Sequence, residues 1–249
     1  MARWLCLALL LAAQSACSGR PELPIVTWHS ISAAGDDFTV GEPALAAQLD
    51  ALRSEGFHAV TFREWLAHEE AGAPLPARPI LLTFDDGFED AFTAALPALR
   101  ARGMRATFFL VSTWIGADEA HRVSRREDGA TRRYLVWPEV RALREAGMEI
   151  GSHGATHRRL AELREAEARE EVVSSRRALE AGLGAPVEVF AYPYNASRRS
   201  LRALVREAGY RAAASGSVHG GKDRFELYRF GVQRGTSPEQ LLRQVTGGR

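Results

Sequence analysis

Short apolar runs alternate with amphipathic stretches along most of this chain. Ile25-Val26-Thr27-Trp28 predicts a first strand. Residues 43–55 carry Leu45, Leu49 and Leu52 at helical spacing and stop at Gly56, which predicts a helix. Residues 58–61 predict a short strand, 62–70 a second helix, 80–84 a strand, and 89–102 a helix closed by Gly103. Residues 106–111, with Thr-Phe-Phe-Leu-Val in the middle, predict a buried strand. Residues 138–145 start on a first-turn proline and stop before Gly147, a short helix ahead of a strand at 148–151. Residues 160–183 are rich in Glu and Arg at i,i+4 spacings, as in a long helix with a solvated face. Strands at 187–191, 210–214 and 227–232 and helices at 200–208 and 238–245 complete the rhythm.

Strands alternating with helices imply βαβ units on a parallel sheet, and about seven such units fit a barrel-like closure. In barrels of this kind the chemistry gathers at the C-terminal ends of the strands. Four polar clusters follow predicted strands: His29, the Asp85-Asp86 pair, His153 with His157, and Pro193-Tyr194. Residues 112–135 break the rhythm, with no clear period around Trp114 and His121. A long irregular loop in a compact domain is commonly functional, so this stretch reads as a groove wall or as a mobile insertion.

Composition narrows the class. The 249 residues are 46% hydrophobic, with 32 Lys+Arg against 31 Asp+Glu, enough apolar material for one sizeable α/β core. The near-neutral balance gives no electrostatic case for nucleic acid. Lys222 is the only lysine, which reads as genome composition bias. At the N-terminus Arg3, the apolar stretch 4–13 and the small residues Ser15-Ala16 predict a signal peptide over 1–16. Cys17 then stands where a bacterial lipoprotein is lipidated, although Gln14 occupies a position where such boxes prefer Leu. Residues 17–23 would be a short tether and 24–249 the folded domain. Cys6 lies inside the signal segment, so the mature chain would hold Cys17 alone and no internal disulfide.

The candidate chemistry is carried by carboxylates and imidazoles. One carboxylate and two histidines make a three-ligand site with a position left for water, the arrangement of a catalytic divalent metal. Asp85 and Asp86 are adjacent at a strand end, so one can face the metal while the other faces the attacking water. His153 and His157 are one helical turn apart in sequence, which predicts both rings on one side. Phe190 and Tyr192 read as core aromatics, whereas Pro193 stiffens a strand end that can aim the Tyr194 N–H at a developing oxyanion. His29 is the best candidate for the general acid, because amide hydrolysis must protonate a leaving amine near neutral pH. Together these features point to metal-assisted hydrolysis.

Thr83-Phe84-Asp85-Asp86-Gly87, His153-Gly154-Ala155-Thr156-His157 and Pro193-Tyr194 resemble the three motifs of the polysaccharide deacetylases, the carbohydrate esterases with a NodB homology domain. The likeness spans residues 24–245, and Trp137 stands where the family often places a tryptophan ahead of the histidine motif. The resemblance implies a distorted (β/α)7 barrel of the NodB type and a divalent metal, usually Zn²⁺. By the same resemblance Asp85 is the base, Asp86, His153 and His157 are the ligands, and the activity is removal of acetyl groups from a glycan. Two departures stand out. Ala191 replaces the arginine that orients the catalytic aspartate, so Asp85 must be held some other way or be less well poised. The family's C-terminal acid histidine is missing, leaving His219 as the only histidine near that end. One branch, which includes the poly-β-1,6-N-acetylglucosamine deacetylases of biofilm export, supplies the acid from an N-terminal apolar-Tyr-His segment, and Thr27-Trp28-His29-Ser30 resembles it. That likeness implies an exported, lipid-anchored or secreted enzyme, an N-acetylglucosamine polymer as substrate, and polysaccharide export or synthesis proteins as neighbours. Peptidoglycan, chitin and xylan are the alternative substrates. A non-catalytic glycan-binding lipoprotein and a metal-dependent phosphoesterase are the rival classes. The phosphoesterase is disfavoured because the sequence shows no second metal cluster and no Arg clamp near the motifs.

Overall fold

The apolar runs become the staves of one parallel sheet with helices around it. The computed structural model describes residues 23–33, 35–127, 130–216 and 223–247. The expected signal segment 1–16, Cys17 and His219 lie outside these residues. In chain order the elements are β1 (Ile25–Trp28), β2 (Ser30–Ile31), β3 (Thr39–Val40), α1 (Glu42–Ser54), β4 (His58–Val60) and α2 (Phe62–Ala71). Then come β5 (Pro79–Phe84), α3 (Leu96–Arg100), β6 (Thr107–Leu110), β7 (Ser124–Glu127), β8 (Ala130–Arg133) and α4 (Trp137–Glu145). The chain ends with β9 (Glu149–Ser152), α5 (Glu165–Leu183), β10 (Val189–Ala191), α6 (Arg199–Glu207), β11 (Ala212–Ser215), β12 (Leu227–Tyr228), β13 (Phe230–Gly231) and α7 (Pro238–Val245).

The strand order is β12-β11-β10-β9-β6-β5-β1-β13, with β4 added against β5. β12 pairs with β11 through Leu227 and Tyr228, and β13 pairs with β1 through Phe230 and Gly231. One residue, Arg229, separates the two. The segment 227–231 is therefore a single stave that changes partner at Arg229 and closes the sheet into a barrel. Its seven staves are β1, β5, β6, β9, β10, β11 and this closing segment, the (β/α)7 barrel expected from the sequence.

Strand alternation sorts the core into two layers. Val26, Trp28, Leu82, Phe84, Phe108 and Phe190 face outward onto Leu45, Leu49 and Leu99 of the helical layer. Ile25, Leu81, Phe109, Val189, Ala191, Ala212 and Ala214 face inward and meet Phe62, Trp65 and Leu66 of α2. α2 thus plugs one end of the barrel. Buried Glu149 fixes the plug by accepting hydrogen bonds from the Phe62 and Arg63 N–H groups (2.7 and 3.1 Å) and from the Thr107 hydroxyl (2.9 Å). The interior is tight: a Cβ on Gly151 would sit 2.5 Å from the Phe109 ring, so glycine is required there.

Several elements depart from the sequence reading. The expected helix over 89–102 is instead a π-type turn at Ala91–Ala95 followed by α3, because Pro97 has no N–H to offer the preceding turn. The expected helix over 160–183 begins as a 3₁₀ turn at Leu160–Glu162, and α5 starts at Glu165, where Glu167 reaches back to the Arg164 N–H at 3.3 Å. The irregular stretch 112–135 contains the antiparallel hairpin β7–β8, tied back by a Phe88–Tyr134 bridge. Phe190 and Tyr192 are fully buried, as expected.

Candidate active site

Parallel register brings the polar clusters to one end of the barrel. His29 follows β1, Asp85 follows β5, His153 follows β9, and Tyr192-Pro193 follow β10. The ladder continues one step past the strands: the Asp85 N–H donates to the Trp28 carbonyl (2.9 Å) and the His153 N–H to the Leu110 carbonyl (2.8 Å). Backbone pairing therefore fixes the height of both side chains at the rim.

His153 and His157 bring their rings together, 5.0 Å apart, from a turn and not from a helix. β9 ends at Ser152, and the chain then turns through Gly154 to place His157 at a left-handed φ of 62°. The turn is held from outside. Glu171 of α5 accepts the Ala155 and Thr156 N–H groups at 3.0 and 2.9 Å and also bonds the Thr156 hydroxyl. Thr113 donates its N–H (3.1 Å) and its hydroxyl (2.6 Å) to the Ala155 carbonyl. Sequence reasoning missed both residues, since neither lies in a motif. Asp86 (φ 71°), His157 (62°), Tyr194 (57°) and Asn195 (54°) are four of the five described non-glycine residues at positive φ. Backbone of this kind is tolerated where surrounding contacts over-determine it, and its concentration at one rim marks a functional site.

Asp86, His153 and His157 converge. Their ligand atoms lie within 4.8 Å of one another, with Asp86 Oδ1 at 3.5 Å from His153 Nε2 and 3.3 Å from His157 Nε2. His153 Nδ1 lies 2.8 Å from the Ala191 carbonyl, so that nitrogen carries the proton and Nε2 presents a lone pair. Burial pushes the His153 pKa down to about 4 and the His157 pKa to about 3, against the upward pull of Asp85. Both rings are therefore neutral at pH 7. Neutral Nε2 lone pairs facing a carboxylate oxygen, with no proton to share, repel one another unless a cation sits between them. The donor set of one oxygen and two imidazole nitrogens fits a divalent metal such as zinc.

Asp85 is held by an arginine that the motif reading did not find. Arg229, on the closing stave, makes a two-pronged pair with the carboxylate at 2.7 and 2.8 Å, and both side chains are buried. Arg229 also donates to the Asn195 side-chain oxygen (3.0 Å) and lies near the Thr27 hydroxyl (3.3 Å). Ala191 is small, buried and inward-facing. The head group that the third motif lacks thus arrives from the closing stave, two positions round the barrel from β10, and the absence of an Arg clamp near the motifs is corrected. The available signal was Arg229 itself, a charged residue inside an otherwise apolar strand pattern. Burial alone would raise the Asp85 pKa, but Arg229 and His153 outweigh it and hold the carboxyl below the usual carboxylate range. His153 Nε2 lies 3.8 Å from Asp85 Oδ2, so the base candidate borders the ligand cluster.

His29 sits on the same rim. Its Nδ1 is buried without a hydrogen-bond partner among the described residues, and its ring lies 5.0 Å from that of Phe38. Burial lowers its pKa, opposed by Asp85. Tyr194 is exposed and packs at 4.7 Å against the His157 ring, while Pro193 is buried. The expected stiff strand end at Pro193–Asn195 is a 3₁₀ turn.

The comparisons with known proteins agree with this geometry. Residues 72–213 match the family profile described as polysaccharide deacetylase. The chain is 29% identical over 133 residues to the poly-β-1,6-N-acetyl-D-glucosamine N-deacetylase of Escherichia coli (strain K12), a match covering 51% of this chain and 20% of that protein. Two solved structures share the fold: IcaB from Ammonifex degensii (TM-score 0.76, 23% identity) and the Streptococcus pyogenes deacetylase PplD in complex with acetate (TM-score 0.76, 20% identity). Each alignment covers 90% of this chain and 97% of the other. The family profile spans more than half of the sequence and contains the Asp pair and both histidines, and the chain belongs to the polysaccharide deacetylase family.

Proposed function

We propose that this protein is a metal-dependent hydrolase that removes N-acetyl groups from an N-acetylglucosamine polymer of the cell surface or biofilm. The observation that carries the reading is the convergence of Asp86, His153 and His157 beside the Arg229-held carboxylate of Asp85. The named Escherichia coli relative acts on such a polymer, which supports the substrate class. The metal would be held by Asp86, His153 and His157. A divalent cation bound there supplies Lewis acidity towards the acetyl carbonyl and a lowered pKa for water.

The chain's own residues do the rest. Asp85, fixed by the Arg229 fork, accepts the proton of the attacking water. Its depressed pKa makes it a weak but always ionised base. The Tyr194 N–H, presented by the turn after Pro193, donates to the carbonyl oxygen as negative charge develops. His29 delivers a proton to the departing amine, so that acetate and a free glucosamine unit leave. Burial leaves the His29 ring neutral at rest, so it takes a proton from solvent before passing it to the amine, and Asp85 returns the proton of the attacking water to solvent. Export by the 1–16 signal segment, lipid anchoring at Cys17 and association with polysaccharide export or synthesis proteins belong to the same proposal.

The test is acetate release from N-acetylglucosamine oligomers, with matched O-acetylated xylan, by wild type and Asp85→Asn. Release from the N-acetylated oligomers that falls by roughly 10²–10⁴-fold in Asp85→Asn supports the reading. Release from xylan alone, or an unaffected variant, contradicts it.

A further inference from the structure

Beyond the residues that act on the acetyl group, one aromatic side chain is built into the rim without a task. Among the described residues three large apolar side chains are exposed: Phe38, Tyr194 and Tyr228. Tyr194 is engaged on its ring by His157 at 4.7 Å and by the Arg159 guanidinium at 4.3 Å. Tyr228 precedes the inward-facing Arg229 on the closing stave, so strand alternation turns it away from the barrel interior. Phe38 is different. The residue is 46% exposed, and its ring tilts against the His29 ring at 5.0 Å.

The loop that carries Phe38 is tied down by residues distant in sequence. Asp36 Oδ1 accepts the Phe38 N–H at 3.0 Å and the Thr39 hydroxyl at 2.9 Å. Arg132, itself buried, donates to the Thr39 hydroxyl at 3.0 Å and lies 3.4 Å from Asp36. From the other side Arg234 donates to the Gly35 and Asp36 carbonyls at 2.6 and 3.1 Å, and its N–H to the Asp37 carbonyl at 2.6 Å. Two arginines and an aspartate thus order a surface turn whose exposed apolar product is one phenyl ring. Such an investment in an exposed aromatic is the mark of a preorganised contact surface.

We infer that Phe38 is a substrate platform: its free face stacks on the apolar C–H face of the hexosamine ring whose amine is protonated from His29. The inference rests on the deacetylase reading. A donor must come within about 3 Å of the leaving nitrogen, so a sugar positioned at His29 lies against the ring that covers His29. Phe38 selects for a pyranose, and acts through binding more than through the chemical step.

The experiment compares Phe38→Ala, Phe38→Leu and Phe38→Tyr with wild type, all metal-loaded, reading KM and kcat for acetate release and, by calorimetry, the Kd of an N-acetylglucosamine tetramer. Stacking on the order of 60 Å² of apolar surface predicts a roughly tenfold weaker Kd and KM in Phe38→Ala. It predicts similar weakening in Phe38→Leu, which keeps the hydrophobic bulk and loses the flat face, and recovery in Phe38→Tyr, with kcat changed less than KM. Equal Kd across the four proteins, or Phe38→Leu matching wild type, overturns the platform. Tight tetramer binding that depends on Phe38 without any acetate release would keep the platform and overturn the deacetylase reading.

Discussion

At the residue scale the site depends on a buried ion pair across the barrel mouth. Asp85 and Arg229 are 144 positions apart, and each is buried because the other neutralises it. Removing one partner strands the other: Arg229→Met is expected to cost about 3–5 kcal/mol of stability in chemical denaturation. The Asp85→Asn, Arg229→Met double variant should recover a large part of that loss, because the uncompensated charge is gone. Additive losses would show that the pair is not coupled. Arg229→Lys keeps the charge without the fork and should still lower kcat. For His153→Ala the expected outcome is loss of bound divalent metal by elemental analysis, and full occupancy would contradict its ligand role. Asp85, Asp86 and the two histidines were legible in the sequence because strand-end motifs are local. Arg229 was not, because its partner is chosen by closure of the whole sheet.

At the element scale, turns and plugs position what the strands only raise to the rim. The 153–157 turn has no regular hydrogen-bonding of its own and borrows Glu171 from α5. Glu171→Ala should therefore weaken metal binding by roughly 10–100-fold while leaving the ligands themselves in place, a shift measurable by competition with a chelator. Unchanged affinity would mean that Thr113 alone orders the turn. The spacing of His153 and His157 predicted both rings on one side, and they do meet, through a turn at Gly154 and the left-handed His157. Glu149, under α2, offers a pH test. Burial raises its pKa to about 7 against the pull of its three hydrogen-bond donors. A folded pKa above the unfolded one favours folding below the unfolded value of about 4.5, and that advantage is lost as pH rises through 7. Wild type should lose on the order of 3 kcal/mol relative to Glu149→Gln between pH 4.5 and 7.5. A flat difference between the two would contradict the assignment.

At the scale of the molecule, one stave of five residues closes the barrel and supplies its central cation. The alternation of apolar runs and amphipathic helices was enough to reach a parallel barrel. It could not show that 227–232 would divide into two short strands with different partners, since both halves carry the same apolar pattern. Nor could it separate the α2 plug from the outer helices, because both present apolar stripes and differ only in which face of the sheet they meet. The inner layer of small residues, Gly151, Ala191 and Ala214, leaves the space that Phe109 and Arg229 fill. Gly151→Ala is accordingly expected to destabilise the whole fold, with a lowered thermal midpoint as the readout.

The most direct test of the account is acetate release by the purified protein from N-acetylglucosamine oligomers, after chelation and again after one equivalent of Zn²⁺. The account predicts no release after chelation, recovery on adding metal, and no recovery in Asp86→Ala despite an intact fold. Release that persists without metal, or that survives Asp86→Ala, would contradict it.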